Sequence, residues 1–184
     1  MKVYLVHGWG GSSKSEGWFD WLKKELSTNN IDFKFFDMPN TNYPKINEWV
    51  EFLQKNIKDI DNETYLIGHS IGCQTIMRYL EDLPENLRFR GVIFVAGWFN
   101  LINLETEKEK EIAKPWLETL LNHNRIKKHC NNFLSIFSDN DEWVPLSDSE
   151  LFKDRLNSKI IIKHNEGHFN ETKEIREIMY FIKQ

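Results

Sequence analysis

Serine, acid and histidine, the residue types that acyl transfer uses, occur in this chain within short recognisable motifs. Ser70 stands in Gly68-His69-Ser70-Ile71-Gly72, a G-x-S-x-G pattern; Asp139 and Asp141 follow in "FSDNDEWVP", and His164 and His168 in "KHNEGHFN". A serine hydroxyl is a weak nucleophile at neutral pH. A histidine must take its proton during attack on a carbonyl and return it to the leaving group, while an acid holds the imidazole in the needed tautomer and stabilises the imidazolium. His168 is assigned as the base, because Gly167-His168-Phe169 reads as a loop whose glycine supplies tight-turn angles. Asp141 is the first choice of acid, with Val144-Pro145 fixing the turn behind it, and Asp139 is the alternative. The bland reading of the two acids is a loop rich in Asp for turn chemistry. His164 reads as a structural or exposed histidine at a strand end, His69 as a residue that packs or orients the elbow, and His123 and His129 as solvent-facing positions.

G-x-S-x-G alone is weak; its meaning depends on a strand before it and a helix after it. Tyr65 to Ile67 is a short apolar run, and Ile71, Cys73, Ile76, Met77 and Leu80 recur with helical period. Ser70 is therefore predicted at a sharp strand-to-helix turn. Gly68 and Gly72 there lack the Cβ atoms that would clash as strand and helix approach. The helix N-terminus favours an oxyanion through its dipole and free N–H groups. The backbone N–H of Ile71 is the first expected oxyanion donor, and that of Trp9, in the "HGWGG" loop from His7 to Gly11, is the second. This loop matches neither G-x-G-x-x-G nor the P-loop pattern.

The elements that must position these residues follow from the rest of the pattern. Apolar, β-branched or aromatic runs near residues 2–6, 33–36, 64–67, 91–96, 133–138 and 159–163 are candidate strands. Helical patterns lie between them: Trp18/Trp21/Leu22, Ile46/Trp49/Val50/Leu53/Ile57, the stretch after Ser70, and Ile175/Ile178/Met179/Ile182. Alternating strands and helices imply right-handed crossovers and a mostly parallel sheet of about six strands with helices on both faces. Ligands bind outside the carboxyl ends of such strands, where Ser70, both acids and both histidines fall. The chain order Ser, Asp, His is that of α/β-hydrolases. Phe99 to Lys114 follows the fourth strand, where larger hydrolases carry a cap domain, and has room only for a loop or short helix. The expected fold is accordingly a compact, lidless α/β-hydrolase. Trp9, Trp98 and Trp143 each follow a strand end and are predicted to line one cleft, whereas Trp21 and Trp49 read as core.

The 184 residues suit one domain, 1–184, with a well-buried core. A chain 40% hydrophobic and 28% charged, without a bilayer-length apolar run, reads as globular and not as a membrane protein. Met1-Lys2 leads into a strand rather than a signal peptide, so a cytoplasmic location is expected. The two cysteines, Cys73 and Cys130, lack C-x-x-C spacing and suggest neither a disulfide framework nor a zinc site. No metal or organic cofactor is implied. A net charge of -4 argues against a nucleic-acid partner. The alternating charges from Glu105 to Glu111 read as a solvated loop or helix end.

The chain resembles the small serine hydrolases that include retinoblastoma-binding protein nine and the bacterial YdeN-type proteins. The resemblance is carried by the Gly-rich loop after the first strand, "GWFDWLKKEL" (Gly17–Leu26), "MPN" (Met38–Asn40), "IGHSIG" with "MRYLE" behind it, "KPW" (Lys114–Trp116), "DEWVP" and "GHFN". It implies a lidless α/β-hydrolase with a triad on Ser70, Asp141 and His168, and adds Trp116 to the substrate pocket. The expected function is a carboxylesterase acting on small acyl esters through an acyl-enzyme, with no protein partner specified. A peptidase, thioesterase or amidase would use the same residues. The alternative from another class is a hydrolase fold retained as a protein-binding module.

Overall fold

The computed structural model describes residues 1–58 and 60–184. Its elements run in the order β1 (Lys2–Val6), α1 (Gly17–Thr28), β2 (Asp32–Phe36), α2 (Ile46–Asn56), β3 (Thr64–His69), α3 (Ile71–Asp82) and β4 (Gly91–Val95). They continue with α4 (Glu107–Glu118), α5 (His123–His129), β5 (Phe133–Ser138), α6 (Asp148–Leu156), β6 (Lys159–Lys163) and α7 (Arg176–Ile182). The strands form one sheet of order β2-β1-β3-β4-β5-β6, and every pairing is parallel.

Strand periodicity explains why this sheet is covered on both faces. Val6 of β1, Leu66 of β3, Val92 and Phe94 of β4, and Phe133 and Phe137 of β5 turn to one side. There they meet Trp49 and Leu53 of α2, Ile76 and Leu80 of α3, Ile126 of α5 and Phe152 of α6. The alternate residues, Val3 and Leu5, Tyr65 and Ile67, Ile93 and Val95, Leu134 and Ile136, pack against Trp18, Phe19, Leu22 and Leu26 of α1 and Ile178, Met179, Phe181 and Ile182 of α7. Burial of both sets is the main force holding the layers together. The fold is that of an α/β-hydrolase.

The direction in which strands are added reverses at β1: the first crossover runs outward to β2 and the next returns to the other side of β1, where β3 lies. The crevice outside the carboxyl ends at such a switch point is where open α/β sheets place ligands. The loops after β1 and β3 flank this crevice. Both cysteines are buried free thiols, and burial raises both pKa values, that of Cys130 to about 11, so neither offers a thiolate at neutral pH.

One helix and one histidine differ from the sequence expectation. The charged stretch from Glu105 forms a solvated helix end as expected, but α4, which begins at Glu107, runs beyond Lys114 to Glu118. Thr106 accepts the Glu109 N–H while the Glu109 carboxylate reaches back to the Thr106 N–H, a capping box. His129, expected to face solvent, is buried at the end of α5, where its Nδ1–H donates to the Leu87 carbonyl at 3.0 Å.

Candidate active site

Ser70 joins β3 to α3 with φ 53° and ψ -122°, a backbone conformation that L-residues rarely adopt. Its own N–H donates to Val95 O of β4 at 2.9 Å, and its carbonyl accepts from Cys73 N–H at 2.9 Å. Both motif glycines are sterically required. A Cβ on Gly68 would lie 2.7 Å from Cys73 N, and one on Gly72 only 2.3 Å from Val6 O. The elbow therefore packs directly onto the end of β1, bringing Ser70 beside the loop that carries Trp9. In that loop Gly10 N–H donates to Thr41 O at 2.9 Å and the Trp9 indole N–H to Asn42 O at 3.3 Å.

The acids and histidines of the loops after β5 and β6 are matched two by two. Asp141 Oδ2 lies 2.7 Å from His168 Nδ1, with side chains only 3% and 8% exposed. Asp141 Oδ1 accepts the N–H groups of Trp143 and Val144 at 2.9 and 3.0 Å, so both carboxylate oxygens are engaged. Asp139 pairs instead with the His164 ring and Asn165 N–H, at the surface, where the side chains are 33% and 84% exposed. Those hydrogen bonds hold the Asp139 carboxyl below the usual range. Asn140, between the acids, accepts Gly167 N–H at 2.9 Å. Gly167 has the positive φ (+54°) anticipated for the histidine loop.

Burial lowers the His168 pKa, and the opposing pull of the Asp141 carboxylate does not restore it. Because Asp141 can only accept, Nδ1 carries the proton and Nε2 is left as the basic nitrogen. The Trp143 ring stands edge-on to the imidazole, with centroids 5.0 Å apart.

Ser70, Ile71, Trp9, Trp98, Trp143 and His168 line one cavity of about 470 Å³. One wall comes from the segment between β4 and α4, through Leu101, Asn103 and Leu104. Gln74 of α3 and Asp148 of α6 brace this wall. Gln74 donates to the Trp98 carbonyl at 2.6 Å, and buried Asp148 accepts the N–H groups of Phe99 and Asn100. The lining also carries Glu16, Glu105, Glu109 and Glu142 and, among its described residues, no Lys or Arg. Trp116 is not part of it. Its indole N–H donates to Pro44 O at 3.1 Å and its ring lies between Trp49 and Arg78, which places it in the core. A larger hollow of about 590 Å³ near α5 and α6, lined by Glu81, His123, Lys127 and Arg155 among others, contains no serine, threonine or cysteine among its described residues.

Sequence reasoning gave His69 a role in packing or orienting the elbow and passed over Glu16 and Asp148. His69 Nε2 lies 2.8 Å from the main-chain carbonyl of His168, and Glu16 Oε1 lies 3.4 Å from His69 Nδ1. Nothing local marks Glu16 as buried; it stands simply as an acid ahead of a helix.

The fold and the elbow define the class as the α/β-hydrolases. Within that class the chain belongs to the serine hydrolase family, whose model matches residues 3–178. It is 29% identical over 170 residues to the hydrolase YdeN of Bacillus subtilis (strain 168), covering 92% of this chain and 86% of that protein. It is 26% identical over 185 residues to the serine hydrolase RBBP9 of Rattus norvegicus, covering 99% of this chain and 94% of the relative. The crystal structure of the B. subtilis ydeN gene product superposes with a TM-score of 0.88 at 25% identity, covering 100% of this chain and 99% of the other.

Proposed function

We propose that this serine hydrolase is a carboxylesterase that cleaves small acyl esters through an acyl-enzyme on Ser70. The observation that carries the reading is the buried Asp141–His168 pair, which opens on the same cavity as the strained Ser70. In attack, Ser70 Oγ bonds to the acyl carbon and its proton passes to His168 Nε2. The carbonyl electron pair moves onto oxygen, where the N–H groups of Ile71 and Trp9 receive it. Collapse breaks the ester C–O bond, and His168 returns the proton to the leaving alcohol. Water then attacks the acyl-enzyme, with His168 taking its proton, and the carboxylic acid leaves as Ser70 regains its hydrogen.

Among the described residues only loops and the helices α4 and α5 lie between β4 and β5, where a cap domain would be inserted, and the cleft's lining includes aromatic and acidic side chains. Short uncharged acyl groups fit these walls better than long tails, which would remain in water, or anions, which the carboxylates repel. The test combines labelling with turnover. A fluorophosphonate is expected to modify the protein once, at Ser70, and Ser70→Ala to remove both the label and hydrolysis of p-nitrophenyl esters, with wild-type rates falling steeply as the acyl chain lengthens. Labelling elsewhere, undiminished turnover in Ser70→Ala, or a preference for long chains would overturn the reading.

A further inference from the structure

We propose that Glu16 and His69 form a second, buried acid–imidazole pair that positions the general base, Glu16 holding the His69 ring and His69 holding the main chain of His168. The inference rests on reading Ser70, Asp141 and His168 as the triad. A carbonyl oxygen only accepts, so His69 Nε2, 2.8 Å from His168 O, must carry the hydrogen. His69 Nδ1 then faces Glu16 Oε1 at 3.4 Å, a contact that is an ion pair only when the ring carries both hydrogens, and this nitrogen has no hydrogen-bond partner.

Glu16 is an unusual residue to find here. It is only 6% exposed, and carboxylates are seldom buried unless they are paired. It occupies the N-cap position of α1, yet its side chain makes no capping bond. Its carboxylate is turned instead to Ser15 Oγ and the His69 ring. Burial alone would raise its pKa, but the contacts with His69 and Ser15 outweigh burial and hold it low, so the group is a carboxylate. The ring it faces is closely packed. Trp18 and Phe19 present edge-on rings at 6.0 and 6.4 Å, and a Cβ on Gly8 would stand 3.2 Å from Nδ1. A ring so fixed, adjacent in sequence to the nucleophile and bonded to the backbone of the base, sets the height of His168 above Ser70.

Charges around the pair allow the positioning role to be separated from simple support of the fold. His168 is faced by Asp141 from the β5–α6 loop, by His69 from β3 and by Glu16 from the segment ahead of α1. The His69 and His168 ring centroids are 5.2 Å apart, and His7 of the β1 loop also lies within electrostatic reach of Glu16 and His69. Positive charge on His69 opposes a proton on His168, whereas Glu16 favours one.

The experiment uses Glu16→Gln and His69→Gln in the full chain, with Ser70→Ala as reference. His69→Gln keeps an N–H near the place of Nε2 but removes the titratable ring that opposes the His168 proton and leaves Glu16 facing His168. It is expected to move the acid limb of kcat/KM to higher pH and to lower kcat about tenfold. Glu16→Gln is expected to lower kcat by about ten- to a hundredfold with KM within about twofold, the scale on which displacement of a catalytic group by an ångström acts. Should one variant fail to fold, judged by circular dichroism, the other carries the test. Wild-type kcat with an unmoved acid limb, or a loss of melting temperature alone, would overturn the positioning role while fluorophosphonate labelling at Ser70 kept the triad reading intact. Labelling that survives Ser70→Ala would overturn the triad reading itself.

Discussion

His168 is joined to Asp141 by a 2.7 Å contact from which water is nearly excluded, while two residues upstream Asp139 holds His164 in the open. The two pairs share chemistry and differ in surroundings. Only the buried one lines the cavity with Ser70, through His168. In a water-poor site a carboxylate orients and stabilises an imidazolium far more strongly than at an exposed surface, where solvent screens the charge.

Asp141→Asn keeps the side-chain shape but replaces the charge with an amide, disfavouring both the required tautomer and the imidazolium. On the precedent of triad aspartates, turnover is expected to fall by about three to four orders of magnitude. Asp139→Asn disturbs only the surface pair, and its loss is expected to stay within roughly tenfold, about 1.4 kcal/mol of barrier. Steady-state kinetics on both variants, matched for folding by circular dichroism, decide between the acids; a crippled Asp139→Asn would move the role to Asp139.

With His168 as the base proposed above, the acid limb of activity is expected below the ordinary imidazole value of about 6.5, because burial keeps His168 neutral to lower pH and a base acts in its neutral form. Stability carries the same sign. His7 is likewise buried, and burial lowers its pKa too; its Nδ1–H donates to Gly8 O at 2.7 Å while Nε2 accepts the Met38 N–H at 3.0 Å. For both histidines the folded-state pKa lies below the unfolded one. Their contribution to stability is thus complete above about pH 6.5 and lost as pH falls through the folded-state values. A kcat/KM profile and melting temperatures across pH 4–8 check both statements; an acid limb above 6.5 would contradict the first.

Gly72 and Gly167 offer a matched pair of alanine substitutions. At Gly72 a Cβ would meet Val6 O at 2.3 Å, and backbone on both sides leaves no route to relax. Gly72→Ala is expected to cost more than about 3 kcal/mol, at or beyond the upper end of ordinary overpacking, and to remove activity. At Gly167 nothing lies within 4 Å and only the positive φ resists, so Gly167→Ala is expected to cost about 1–2 kcal/mol. Chemical denaturation measures both, and equal costs would refute the argument from close approach.

Most of the framework was legible because it rests on short-range rules. The β-branched and apolar runs marked every strand of the sheet, and the glycines of the elbow announced a close approach that the distances to Cys73 and Val6 bear out. What escaped notice depended on tertiary context. α6 buries little apolar surface beyond Phe152 and Leu156, and α4, with Pro115 inside it, buries only Ala113 and Trp116, so neither shows a clear periodic face. The capping box at Thr106 and Glu109 was a readable signal for the start of α4. Trp116 was drawn toward the pocket by resemblance but goes to the core, because its indole N–H finds the Pro44 carbonyl there. Glu16 is visible only once α1 is docked beside β3.

The clasp between the loops after β5 and β6 continues the sheet by other means. Main-chain pairing brings Ser138 opposite Lys163 and closes with Asp139 N–H on Lys163 O. Side chains then take over the rungs: Asp139 on His164 and Asn165, Asn140 on Gly167, Asp141 on His168. The spacing between Asp141 and His168 is therefore a readout of strand register. A slip of β6 by one residue would turn every side chain of the strand to the opposite face and set Asp141 against Gly167 or Phe169. A molecule folded in the wrong register would separate Asp141 from His168, so under the proposed triad the fraction of molecules competent for turnover is also the fraction in which the last two strands have found their alignment.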